Sequence, residues 1–179
     1  MLYRQTLYFR REWSGWVRDV ALALMAGYVL ALSARFRVSV PFSPVPVTGQ
    51  TFVVLLIGAL LGRRIGLLSV GTYLVAGGLG LPFFAGGTLA GPTGGYLLGF
   101  VASVALVSTL IEKGWGRRPA TVAFALLLGT MVIYLFGLPW LALFVGPQRV
   151  LVLGLHPFVI GDLLKMLCAT GIVAARYQS

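Results

Sequence analysis

The chain has 179 residues, of which 59% are hydrophobic and 10% are charged, and its mean hydropathy is +0.95. A soluble domain usually has about 25% charged residues, so this composition excludes a water-soluble globular protein and indicates a membrane protein of one domain. The net charge of +10 does not indicate a nucleic-acid-binding protein, because the basic residues stand in small clusters between apolar runs and not on one face or arm.

The chain begins with a basic and aromatic stretch, residues 1–16, which we interpret as a cytoplasmic extension of a single transmembrane domain over residues 17–179. No small-residue cleavage pattern is present, so a signal peptide is not predicted. The apolar run over about 17–36 is long enough to cross a hydrocarbon core of about 30 Å. Small residues recur in it at i, i+4 and i+8, which would let another helix approach closely unless they only reflect abundant alanine and glycine. They are Ala23, Gly27 and Ala31.

A segment with three prolines follows at residues 38–48. The prolines exclude a helix and favour an extended or turning backbone. The next apolar run, about 50–61, would span only about 18 Å as a helix. Irregular backbone is tolerated at membrane depth only where it faces protein or a water-filled cavity. This part of the sequence therefore gives the first indication of a ligand cavity.

Further along, the hydrophobic pattern predicts four more helices, which makes six in all. Their approximate bounds are 65–81, 93–111, 120–136 and 158–175. The stretch 137–157 contains three prolines, so we interpret it as a loop with a short apolar helix at the membrane interface.

The fourth predicted helix follows a glycine-rich, uncharged loop over residues 82–92 and opens with two glycines, Gly94 and Gly95. Free backbone N–H groups at a helix N-terminus can bind anions and other acceptors. A tight turn is the alternative explanation for the two glycines.

The basic residues are distributed unevenly between the two ends of these helices. Ten lie in the N-terminal stretch up to Arg18, in the links after the second and fourth helices, and at Arg176. Three lie on the opposite side, namely Arg35, Arg37 and Arg149. By the positive-inside rule, both termini are expected in the cytoplasm, with the longer loops on the external face.

Three of the four acidic residues lie near predicted membrane boundaries, and the fourth, Asp162, lies inside a predicted helix. Asp162 is about one turn into the last helix, and Lys165 follows at i+3, so both side chains share one face. A charge at the centre of a membrane helix costs about 2.5–3.5 kcal/mol on insertion scales, and such residues usually face the protein interior. The two residues therefore either pair with each other or offer an acceptor and a donor to a polar ligand.

Other polar residues lie at the ends of apolar runs. Gln50 and Thr51 begin the short second helix, where they could line a site or act as N-terminal caps. Tyr73 and Tyr96 could line a site or anchor the chain at the membrane interface. The single histidine, His156, precedes a proline and is expected to be a solvated loop residue.

Familiar catalytic and metal-binding motifs are absent from the sequence. Neither lysine follows a glycine, so no Walker A motif exists and an ATP-driven role would need other subunits. There is no HExxH, no GxSxG and no histidine cluster, and the single cysteine excludes a CxxC motif. An enzyme is therefore disfavoured, and neither a cofactor nor a metal site is predicted. The alternative from a different class is a membrane-embedded, lipid-modifying enzyme that uses Asp162.

Four segments resemble the BioY family of biotin transporters, in the order in which the family has them. They are SPVPVTGQTF at 43–52, GLPFFAGG at 80–87, GPTGGYLLGF at 91–100 and HPFVIGDLLK at 156–165. The match spans about residues 20–175. Two departures are a loop between Gly87 and Gly91 that is shorter than in many members, and a glycine at position 49 where members often have a bulkier residue.

The resemblance implies an all-α bundle of six transmembrane helices, like the substrate-binding (S) components of energy-coupling factor (ECF) transporters, with an external ligand cavity in a prokaryotic plasma membrane. It implies biotin capture and docking onto a transmembrane coupling protein that works with two cytoplasmic ATPases. The small-residue stripe of the first helix resembles the family's docking face. An S component for another small vitamin is the alternative within transport, and a structural helper in a membrane complex is a further one.

The resemblance and the residue chemistry together predict the ligand contacts. Asp162 would accept hydrogen bonds from the ureido N–H groups of biotin, while Lys165 would donate to an oxygen or keep Asp162 ionised. Thr93 with the glycines after it would meet the carboxylate, and aromatic side chains would form apolar walls. The full predicted set is Asp162, Lys165, Gln50, Thr51, Tyr73, Phe83, Phe84, Gly86, Gly87, Thr93, Gly94, Gly95 and Tyr96.

Overall fold

The computed structural model describes residues 2–85 and 88–178, with side chains described for 15–85 and 88–177. Its helices are α1 (Leu2–Ser33), α2 (Gln50–Leu60), α3 (Gly62–Gly78), α4 (Gly94–Glu112), α5 (Pro119–Val145), the short α6 (Val150–Gly154) and α7 (His156–Gln178). A 3-10 turn over Trp115–Arg117 precedes α5, and two short strands, β1 (Arg37–Val38) and β2 (Val47–Thr48), lie between α1 and α2.

The six long helices confirm the predicted all-α membrane fold. Four stretches are long and apolar enough to cross a membrane: Gly15–Ser33, Gly94–Glu112, Pro119–Val145 and Val150–Tyr177. The other two, α2 with 11 residues and α3 with 17, are shorter and meet at Leu61. The backbone of the N-terminal stretch is helical and continuous with α1.

Two clusters of buried apolar side chains hold the bundle together. Leu30, Val70 and Val104 belong to the first cluster, to which α1, α2, α3, α4, α5 and α7 all contribute. Leu55, Leu126 and Val173 belong to the second cluster, which lies between α2, α4, α5 and α7. Burial against neighbouring helices, and not lipid contact, therefore fixes the relative positions of the elements that carry the site.

The small-residue stripe of α1 packs inside the chain. Ala23 and Ala31 are 2% and 5% exposed. A Cβ added at Gly27 would lie 2.7 Å from Thr72 Oγ1 and 2.9 Å from the Ser69 carbonyl oxygen of α3. The sequence correctly indicated a close helix approach, but the partner is α3 of the same chain. The prediction that these three residues form a docking surface is therefore wrong.

Helix α5 is longer than predicted. It passes the expected end near residue 136 and continues through Pro139 to Val145. An interior proline costs about 3 kcal/mol in a helix, but Leu141 beyond it is fully buried and Gly137 packs against the Tyr96 ring. Since backbone groups in lipid must be satisfied within the chain, continuing the helix is favoured. The predicted short helix of this region is confirmed as α6.

The proline-containing segment forms the turn of a small antiparallel ribbon. Arg37 pairs with Thr48, and Val38 pairs with Val47. Side chains then tie the ribbon and its turn to neighbouring loops: Arg37 Nη1 donates to the Ala85 carbonyl at 2.6 Å, and Ser43 Oγ donates to the Leu153 carbonyl at 2.7 Å. These bonds hold the loops together over one end of the bundle.

Candidate ligand-binding site

A cavity lies at the ribbon end of the bundle. Residues of β2, α2, α4, α5 and α7 line it, together with the segments before β2 and α4. A largely apolar lining with a few convergent polar groups is typical of small-molecule sites. The apolar lining residues are Val45, Pro46, Ala85, Leu97, Phe100, Ile133 and Phe158, and the polar ones are Thr48, Gln50, Thr51, Thr93, Tyr96, Tyr134, Asp162 and Lys165.

The charged pair predicted from the sequence forms the centre of a hydrogen-bond network on the cavity wall. Lys165 Nζ lies 2.9 Å from Asp162 Oδ1 and 3.0 Å from Thr51 Oγ1. The Thr51 hydroxyl donates to Asp162 Oδ1 at 3.1 Å, and the Tyr134 hydroxyl donates to Asp162 Oδ2 at 2.5 Å. The two residues therefore pair with each other and also line the cavity, and their contact with a polar ligand stays a prediction.

The network leaves hydrogen-bonding capacity unused. An ionised carboxylate can accept about four hydrogen bonds, and Asp162 accepts three from the described residues. An ammonium group has three donors, and Lys165 uses two of them within the described part of the chain. Asp162 therefore keeps one acceptor position, and Lys165 keeps one donor, that the described residues do not use.

Gln50 is held in place by two neighbours. It is 3% exposed. Its Nε2 donates to Tyr73 Oη at 2.5 Å, and its Oε1 accepts from Thr48 Oγ1 at 3.3 Å. The Gln50 backbone N–H donates to Thr48 Oγ1 at 3.3 Å, and neither Gln50 nor Thr51 is the N-cap of α2, which is Gly49.

The two predicted tyrosines have different roles. Tyr73 is 1% exposed, which excludes an interface anchor, and it positions Gln50 without lining the cavity. The Tyr96 ring lines the cavity, while its hydroxyl donates to the Gly154 carbonyl at 2.9 Å. Tyr96 therefore offers a ligand its ring, and its hydroxyl ties α4 to α6.

Thr93 lines the cavity immediately before α4 and is 8% exposed. Its Oγ1 is buried without a hydrogen-bond partner among the described residues. A buried hydroxyl without a partner costs roughly 1–3 kcal/mol. A ligand atom that completes this bond would recover that cost, so Thr93 is a strong candidate for a ligand contact.

Gly94 and Gly95 are not among the residues that line the cavity, and their contact with a carboxylate stays a prediction. A Cβ at Gly94 would overlap the Leu89 carbonyl oxygen, and one at Gly95 would lie 2.5 Å from the Phe136 carbonyl oxygen. Trp140 Nε1 donates to the Gly91 carbonyl at 2.9 Å. The glycines are needed because the preceding loop and α5 pass too close for any side chain.

The predicted aromatic wall is also corrected. Phe84 packs edge-on against Tyr73 with ring centroids 5.4 Å apart, and Phe83 packs against the first core cluster. Neither residue lines the cavity. The apolar lining comes instead from α4, α5, α7, the segment before β2 and Ala85. Predicted residues Gly86 and Gly87 lie outside the residues that the structure describes.

Sequence reasoning missed two polar lining residues, Tyr134 and Thr48. Tyr134 lies in an apolar helix, and the sequence of that helix does not show which face points toward the cavity. Its spacing of i+4 from Thr130 marks a polar stripe on α5 and could have indicated it. Thr48 stands two residues before Gln50, and its hydroxyl accepts from the Gln50 backbone N–H, a local contact that the sequence spacing could have indicated.

Comparison with known proteins places this site in context. The BioY family profile matches residues 5–179. A probable biotin transporter BioY of Pyrococcus horikoshii is 41% identical over 162 residues, which cover 88% of this chain and 95% of the relative. The biotin transporter BioY of Thermotoga maritima is 38% identical over 151 residues, covering 79% and 85%.

One solved structure has a closely similar fold. It is the crystal structure of the S-component for biotin from an ECF-type ABC transporter, with a TM-score of 0.79 over 93% of this chain and 94% of the other. The identity between the two chains is 23%, so the likeness is one of fold.

Proposed function

The chain belongs to the BioY family, and we propose that it binds biotin and serves as the membrane substrate-capture subunit of an ECF-type transporter. The observation that carries the proposal is the incompletely satisfied network of Asp162, Lys165, Thr51 and Tyr134 on the wall of an otherwise apolar cavity.

The chemistry of biotin matches this arrangement. Its ureido group presents N–H donors and a carbonyl acceptor next to each other, and Asp162 and Lys165 retain one acceptor and one donor at adjacent positions. Bonds to ionised groups are about twice as strong as neutral ones. The apolar thioether ring and aliphatic tail suit the lining side chains Leu97, Phe100 and Phe158. A ligand with a urea-like head and an apolar body is therefore favoured over a purely polar or purely apolar molecule.

Transport would require partners and a fixed orientation. We propose that both termini face the cytoplasm of a prokaryotic cell, because ten basic residues lie at one end of the helices and three at the other. The cavity would then open to the outside. A transmembrane coupling protein and two cytoplasmic ATPases would supply the energy. The coupling protein would have to bind a surface other than the α1 stripe, which is buried against α3.

The direct test is ligand binding by the purified, full-length protein in detergent. We expect biotin to co-purify and be detected by mass spectrometry, and protein freed of ligand to bind biotin in a calorimetric titration. Riboflavin, thiamine and pantothenate, added at large excess, should not displace it. Displacement by one of these vitamins would indicate that the site binds that vitamin instead, and absence of any biotin binding would reject the proposed function.

A further inference from the structure

A second recess adjoins the ligand cavity on the loop side. Its lining is mostly polar or proline: Arg37, Ser39, Ser43, Pro44, Pro46 and Ala85. Two of these residues, Pro46 and Ala85, also line the main cavity. A ligand whose head occupies the main cavity could therefore extend between them into the recess.

The ribbon register places Arg37 beside the cavity. Arg37 is directly opposite Thr48, and residues opposite each other in an antiparallel pair project from the same face. Thr48 lines the main cavity. The Arg37 side chain therefore leaves the ribbon on the cavity side, independently of the volume that the recess encloses.

Arg37 also has unused hydrogen-bonding capacity. A guanidinium carries five N–H donors, and one Arg37 nitrogen, Nη1, donates to the Ala85 carbonyl at 2.6 Å. No ion pair involves Arg37 within the described residues. The other cation at the cavity, Lys165, is already paired with Asp162. The remaining two cations of this end, Arg35 and Arg149, line neither space.

We propose that Arg37 binds the carboxylate of the ligand and so selects for an anionic tail. The inference rests on the proposed function, with the ureido head at Asp162. Guanidinium and carboxylate form a bidentate pair with two parallel hydrogen bonds. This assignment differs from the predicted helix start at Gly94 and Gly95, which are not among the residues that line the cavity.

The test compares two ligands with two variants. Arg37→Gln should weaken biotin binding by about tenfold, the lower end for a bond to a charged group, because Arg37 is solvent-accessible at the mouth. Biotinamide, which has the same head and a neutral tail, should bind the variant and the wild type equally. Arg35→Gln removes the same charge two residues away and should leave both affinities unchanged. Arg37→Lys, which keeps the charge, should lose less biotin affinity than Arg37→Gln.

Equal losses for biotin and biotinamide in Arg37→Gln would overturn the inference, because they would show that Arg37 acts only by holding the Ala85 loop. No loss for biotin would overturn it as well. Failure of the inference is separable from failure of the proposed function. If only the inference fails, wild-type protein binds biotin, but replacing Arg37 does not weaken biotin binding more than biotinamide binding. If the proposed function fails, the wild-type protein does not bind biotin at all.

Discussion

Replacing Asp162 by asparagine removes the carboxylate of the cavity while preserving its shape. In the wild type, Oδ1 accepts from Thr51 and Lys165, and Oδ2 accepts from Tyr134. The amide keeps one acceptor oxygen and replaces the other with an NH₂ donor. Lys165, whose side chain is 20% exposed, then keeps its charge without a counter-charge among the described residues.

Two separate losses follow. Breaking a buried ion pair by removing one partner costs about 3–5 kcal/mol. Since water reaches Lys165 in part, we expect about 2–3 kcal/mol of lost stability. For the ligand, the loss of one bond to an ionised acceptor is worth about 1.5–3 kcal/mol, which corresponds to a decrease in biotin affinity of roughly 10- to 150-fold.

A double variant separates the two effects. Asp162→Asn combined with Lys165→Met removes the unpaired ammonium, so the thermal unfolding midpoint in detergent should return toward the wild-type value. Biotin affinity, measured by titration calorimetry, should stay low in both variants. Wild-type affinity in Asp162→Asn, or recovery of affinity in the double variant, would show that Asp162 has only a structural role and would refute the reasoning.

Three further substitutions test neighbouring features by the same two measurements. Thr93→Val should not destabilise the ligand-free protein, because it removes a buried hydroxyl that lacks a partner in the described residues. Biotin affinity should nevertheless fall several-fold, and unchanged affinity would exclude a ligand contact. Tyr73→Phe should destabilise the protein by about 1–3 kcal/mol, because it leaves the buried amide of Gln50 without its acceptor; an unchanged unfolding midpoint would contradict this. Gly95→Ala should lower the free energy of unfolding by about 1–3 kcal/mol through overpacking. Gly171→Ala is the control: nothing lies within 4 Å of the added Cβ, so this substitution should raise the free energy of unfolding by up to about 1 kcal/mol.

The parts of the site that sequence predicted correctly depend on local geometry. Asp162 and Lys165 are three residues apart on one helix, so their shared face follows from the helical repeat alone. Their burial follows from the cost of charge in lipid. The structure adds the distance of 2.9 Å between them and the observation that both line a cavity.

The missed and misassigned parts depend on how helices are rotated against each other. Tyr134 reaches Asp162 because the helix faces that carry these two residues point toward each other in the packed α5 and α7. No local sequence pattern predicts how the two helices are rotated. Glycine is ambiguous for a related reason. Gly27 and Gly95 both mark places where backbones approach closely, and sequence alone does not distinguish a neighbouring helix of the same chain from a partner protein or a ligand.

The arrangement of free and occupied polar atoms in the cavity argues for a preorganised site. Thr51 and Tyr134 hold Asp162 from two sides, and Tyr73 holds Gln50, so these side chains need little ordering when a ligand arrives. Less ordering means that more of the interaction free energy appears as affinity. The free positions, on Asp162, Lys165 and Thr93, then define which groups a ligand must carry. Under the proposed function, a molecule that lacks a matching donor and acceptor would bury these atoms unpaired, and that penalty would favour a urea-like head.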